Sequence, residues 1–87
     1  MNNYELTVLV RNEADMDPVR KLLEGYEAKV TDETKWGKRD LAYPIEKETS
    51  AYYFTLQLGI APNHIAEFKQ KMNFDEKVLR YLMLKRS

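Results

Sequence analysis

The hydrophobic period of this chain switches between two residues and about 3.6, and the order of the switches limits which folds are open to it. Tyr4, Leu6, Val8 and Val10 alternate with Glu5, Thr7 and Leu9, the period of a half-buried strand. Asp17-Pro18 then offers an N-cap and a first helical residue. Val19, Leu22, Leu23 and Tyr26 recur on one helical face, with Gly25 as the expected left-handed stop. This predicts an unusually short first helix, about two turns. An extended stretch follows from about Ala28 through Trp36 to Tyr43, kinked at Gly37. Lys47-Glu48-Thr49-Ser50 reads as a polar turn, after which Tyr52, Phe54, Leu56 and Leu58 face one way and Ala51, Tyr53, Thr55 and Gln57 the other. Ala61-Pro62-Asn63 opens a second helix in which Ile65, Phe68 and Met72 share a face and Asn73 caps the end. Val78 to Leu84 is a last strand, apolar on both faces.

Strand, helix, strand, strand, helix, strand is the α+β, ferredoxin-like βαββαβ order. It builds a four-stranded antiparallel sheet with both helices on one face, here as a single domain over residues 1–87. The other face is expected to stay open and to carry Leu9, Tyr53, Thr55, Gln57 and some of Leu79, Tyr81 and Met83. Such a patch is greasier than a monomer usually leaves in water.

Fourteen basic residues balance fourteen acidic ones, so any nucleic-acid contact must come from a local patch. The chain has no cysteine, which excludes disulfides and thiolate metal sites and fits a cytoplasmic protein. No apolar run approaches a membrane span, and the start lacks the basic and apolar regions of a signal peptide. The single histidine, His64, reads as a solvated surface residue at a helix start. Nothing supplies a metal ligand set, a glycine-rich phosphate loop or a nucleophile with its base, so no enzyme, cofactor or small-molecule substrate is inferred.

The chemistry concentrates in Trp36-Gly37-Lys38-Arg39-Asp40-Leu41-Ala42-Tyr43-Pro44-Ile45. Gly37 eases a bulge, and Pro44 donates no ladder hydrogen bond, so the strand belongs at a sheet edge. Lys35, Lys38 and Arg39 suit phosphate or a partner chain, but taken alone the run is first a strand defended against edge pairing. Arg80, Lys85 and Arg86 would join these cations in one basic strip if the two edges converge; a solvated charge face is the alternative. Tyr53 could stack on a base or pack against a protein, and the third strand lacks the aromatic signature of an RNA-recognition motif.

Trp36-Gly37-Lys38-Arg39, Leu41-Ala42-Tyr43-Pro44-Ile45, Tyr52-Tyr53 and the ending Val78-Leu79-Arg80-Tyr81-Leu82 together closely resemble the bacterial small-subunit ribosomal protein S six family. Tyr4-Glu5, the strand ending in Arg11, and Ala61-Pro62 extend the resemblance over essentially the whole chain. It implies a non-catalytic component of the platform that binds the central domain of small-subunit rRNA together with ribosomal protein S eighteen. Lys38, Arg39 and Arg80 are then the expected RNA contacts, with Lys35, Lys85 and Arg86 beside them. Trp36 and Tyr43, with Tyr53 and Tyr81, are the expected partner contacts. Asp40 stands where relatives commonly carry a basic residue. The alternative is a stand-alone ferredoxin-like interaction or regulatory module that works through its open sheet face.

Overall fold

A computed structural model describes residues 2–86. The elements are β1 (Asn2–Val10), a 3₁₀ turn (Glu13–Asp15), α1 (Met16–Gly25), β2 (Lys29–Ile45), β3 (Glu48–Ile60), α2 (Pro62–Phe74) and β4 (Val78–Arg86). The sheet order is β2-β3-β1-β4 with every pairing antiparallel. This is the ferredoxin-like arrangement expected from the periodicity, and both helices lie on one face. Leu6, Val8 and Val10 of β1 and Phe54, Leu56, Leu58 and Ile60 of β3 share one buried cluster with Val19 and Leu23 of α1 and Phe68 and Met72 of α2.

The first helix is short, ten residues, but it starts and stops differently from the sequence expectation. Asp17 does not cap it: Asp15 is the N-cap, and the preceding 3₁₀ turn is closed by the Asn12 amide donating to the Asp15 carboxylate at 3.0 Å. Asp17, inside the first turn, instead accepts from Arg20 Nη1 at 2.8 Å. Gly25 is the last helical residue, and the left-handed position falls on Glu27, at φ 58°. The Ala28 amide reaches back to the Leu23 carbonyl at 3.0 Å and the Glu27 amide to the Glu24 carbonyl at 2.9 Å, the double closure of a Schellman motif. A glutamate there carries the Cβ penalty that glycine avoids. Glu27→Gly is therefore expected to raise stability by about 1 kcal/mol, read as a higher urea midpoint.

The β2–β3 turn also differs. Ile45 pairs with Glu48, so the loop is only Glu46-Lys47, both left-handed (φ 48° and 70°), and Glu48, Thr49 and Ser50 belong to β3. Primed two-residue loops match strand twist, which outweighs the absence of the usual asparagine and glycine. At the far end α2 continues through Asn73 to Phe74, with Asp75 at its cap. His64 is half-buried and not solvated: its ring lies 5.4 Å from that of Tyr26 and its Nδ1 is 3.2 Å from the Tyr26 carbonyl oxygen.

α1 is tied to the sheet by charge. Arg20 donates to both Glu33 carboxylate oxygens, Nε at 3.0 Å and Nη2 at 2.6 Å, and its guanidinium lies 5.6 Å from the centre of the Phe54 ring. The hydrogen bonds from Arg20 hold the Glu33 carboxyl below its ordinary value of 4.5. A depressed carboxylate stabilises the fold fully above its ordinary value and loses that contribution as pH falls through the depressed one. Glu33→Gln should therefore cost about 1 kcal/mol at pH 7, with the gap to the unsubstituted chain closing below pH 4.5. Urea unfolding across a pH series reads this directly; a gap that persists in acid would contradict the pairing.

Candidate nucleic-acid interface

Residues on the open sheet face follow from the register. Gly37, Tyr53, Leu9 and Arg80 form one cross-strand row; Thr34, Thr55, Thr7 and Leu82 the next; Asp32, Gln57, Glu5 and Leu84 the third. Gln57 Nε2 donates to Glu5 Oε1 at 2.9 Å, which fixes the polar end of this face. Leu82 and Leu84 are exposed at its β4 side, whereas Leu9 at its centre is only 7% exposed.

Of Leu79, Tyr81 and Met83, some of them expected on this face, the register removes Tyr81 and Met83. Tyr81 pairs with Val8 and Met83 with Leu6, so both turn toward the helices and pack on the core. The Tyr81 hydroxyl donates to the Lys69 carbonyl at 3.3 Å. A strand apolar on both sides does not say which side is inward, and the register shift between Leu9 and Val10 sets it here. Leu82 and Leu84 are the open-face residues that sequence reasoning passed over; their signal was the two-sided greasiness of β4.

The Trp36–Ile45 run is where β2 leaves regular pairing. The register slips between Lys35 and Gly37, leaving Trp36 as the bulged residue, and Gly37 adopts φ 84°, a conformation that L side chains rarely take. Trp36 swings onto the open face, its indole N–H donating to Thr55 Oγ1 at 2.9 Å, with 51% of the residue exposed. Further on, Leu41, Ala42, Tyr43 and Pro44 all fall opposite Thr49 alone, a wide bulge on the sheet edge that leaves Tyr43 83% exposed. Pro44 sits where no ladder donor is needed.

The cations divide. Lys35 pairs with Phe54 in register, so it lies on the helix face, where its ammonium meets the Glu13 carboxylate. Lys38, opposite Tyr52, also lies on the helix side, and Arg39, opposite Ala51, on the open side. Both are exposed and form no ion pair among the described residues. Arg80 lies on the open side; Lys85 and Arg86 extend β4 and point to opposite faces. Since β2 and β4 are opposite edges, on the order of 14 Å apart, these residues do not form the single strip that converging edges would have made. Contact between the two ends comes instead from Arg11, the residue after β1, which donates to Glu46 Oε2 at the hairpin tip at 2.9 Å and to the Glu76 carbonyl at 2.7 Å. Arg11, Glu46, Glu76 and Arg80 line one groove of about 530 Å³. Among the described residues no group of His, Cys, Asp or Glu side chains is placed to hold a metal ion. None of their helices is long and apolar enough to cross a membrane.

A family model described as Ribosomal protein S6 matches residues 3–85. The chain belongs to the ribosomal protein S6 family. It is 35% identical to the small ribosomal subunit protein bS6 of Azobacteroides pseudotrichonymphae, across the whole of this chain and 84% of that protein. Against the bS6 of Parabacteroides distasonis the identity is 37%, covering 94% of this chain and 75% of the relative. The crystal structure of 30S ribosomal protein S6 from Thermotoga maritima superposes with a TM-score of 0.86 over 98% of this chain and 87% of that one; at 17% identity this speaks for the fold. As a ribosomal protein S6 the chain is a small-subunit ribosomal protein of the cytoplasm, and that family is structural, not a class of enzymes.

Proposed function

We propose that the chain binds the central domain of small-subunit rRNA, in the platform, jointly with ribosomal protein S eighteen. The observation that carries this reading is the β2–β3 hairpin. Its family motif leaves the ladder at two bulges, exposes Trp36 and Tyr43, and keeps Lys38 and Arg39 out of ion pairs among the described residues. Charges left unpaired next to exposed aromatic area suit folded RNA, which is recognised through backbone and shape. Arg80 and Arg86 are candidate phosphate contacts from the opposite edge, and Lys85 from the same strand's helix side. Lys35, already held by Glu13, is the weakest candidate of the set. For the protein partner, Trp36, Tyr53, Leu82 and Leu84 offer the open-face surface and Tyr43 the hairpin surface, while Tyr81 is spent on the core.

In competition for incorporation into small-subunit particles, Arg39→Ala is expected to lose roughly tenfold, and Lys35→Ala and Lys47→Ala to stay within about twofold. Because formal net charge is zero, binding to rRNA alone should be weak with a shallow salt slope, and the slope should steepen once S eighteen adds its cations. Equal incorporation of the three variants, or tight binding without the partner, would overturn the proposal.

A further inference from the structure

We infer that Arg11 is a positioning residue: it sets the β2–β3 hairpin in the orientation in which the hairpin binds, an inference that rests on the reading of the hairpin as an assembly surface. β1 pairs with β3 only as far as Val10 and Tyr52, so the hairpin beyond Tyr52 overhangs the sheet, on the order of 13 Å out to Glu48. Its own ladder is interrupted there by the bulge from Leu41 to Pro44, and both loop residues are left-handed. Two strands with a broken ladder hold their direction poorly without a third contact. Among the described residues, the Arg11–Glu46 pair at 2.9 Å is the one side-chain hydrogen bond or ion pair that ties residues 40–48 to the rest of the protein.

Arg11 is itself a fixed post. Its amide donates to the Lys77 carbonyl at 3.4 Å and its Nη1 to the Glu76 carbonyl at 2.7 Å, both in the turn between α2 and β4. The guanidinium fork thus joins the hairpin tip to the turn between α2 and β4 with donors that diverge in a fixed plane, a geometry lysine cannot reproduce. The overhang carries Arg39 and Tyr43, with Lys38 at its anchored base opposite Tyr52, so its direction decides whether those side chains meet their targets together.

The sign of the effect separates a clamp from a contact. Glu46→Ala removes a negative charge from the hairpin that meets RNA in this reading, and electrostatics alone would strengthen binding. A clamp demands the reverse: a loosened hairpin is binding-competent for only part of the time, and affinity falls by that fraction. The experiment measures binding of the full chain to small-subunit rRNA in the presence of ribosomal protein S eighteen, with hydrogen exchange of the 41–47 amides followed in the free protein. Glu46→Ala and Arg11→Ala should each lose about threefold to tenfold, the double variant no more than either, and 41–47 exchange should quicken in all three. Tighter or unchanged binding by Glu46→Ala, or additive losses in the double variant, overturns the inference. If the unsubstituted chain itself fails to bind, the functional reading falls, and exchange decides the clamp: faster in Glu46→Ala upholds the hold of Arg11 on the hairpin, unchanged refutes it.

Discussion

Phe54→Ala should lower the free energy of unfolding by roughly 3–5 kcal/mol, the largest single effect expected in this protein. Phe54 is fully buried in β3, flanked in register by Val8 and Lys35, and lies under the Arg20 guanidinium that also grips Glu33. Truncation removes the aromatic area, leaves a void that the strands cannot close, and deprives Arg20 of the surface it stacks on. A small domain has only about 5–15 kcal/mol in total, so a measurable unfolded fraction should appear at moderate temperature. Urea unfolding should show a lower midpoint at unchanged slope. Its neighbour Tyr53 faces the open side, and Tyr53→Ala should cost under about 1.5 kcal/mol while weakening association with the partner protein. If the two substitutions cost the same, the assignment of faces is wrong.

Gly37→Val ranks next, at about 2–3 kcal/mol together with impaired incorporation into the subunit. A Cβ at Gly37 would meet no atom within 4 Å, so crowding contributes nothing; the cost comes from φ 84°, which a β-branched residue resists. The strain is relieved by rebuilding the bulge, which would pull Trp36 away from Thr55 and turn Lys38 and Arg39. Trp36 is the single tryptophan, so its emission reports this rearrangement without labelling. Gly37→Asn, which tolerates the left-handed region, should retain most of the stability and the parent emission. A Gly37→Val protein with parent-like emission and stability would show that the bulge does not depend on glycine.

Much of this was legible in the chain because the signals are local. The alternation at Tyr4–Val10 and Tyr52–Leu58 named the inward residues correctly, and Gly37 and Pro44 marked the bulged edge strand. Most of the misreadings come from an effect outside the segment, the end of α1 being the local exception. Glu27 replaces Gly25 as the left-handed residue because the chain must turn after Tyr26 to bring Ala28 back onto Leu23. Tyr81 and Met83 face inward because a register shift opposite Leu9 and Val10 sets the phase of β4. Lys35 looked equivalent to Lys38 and Arg39 until Glu13, distant in sequence, took its charge. Asp40, exposed and opposite Ser50, stands in the regular ladder just before the wide bulge.

By itself, the sequence determined the order of elements, the core faces of β1 and β3, the kinked edge strand and the family. Each of these is written in a period, a backbone-special residue or a contiguous motif. Only the tertiary structure decided which cations remain unpaired, which side of β4 is open, and that Arg11 holds the hairpin tip. Those outcomes depend on register and on hydrogen bonds between residues 22 to 65 positions apart. Local periodicity carries no record of such separations, because pairing across them is settled only when the sheet closes.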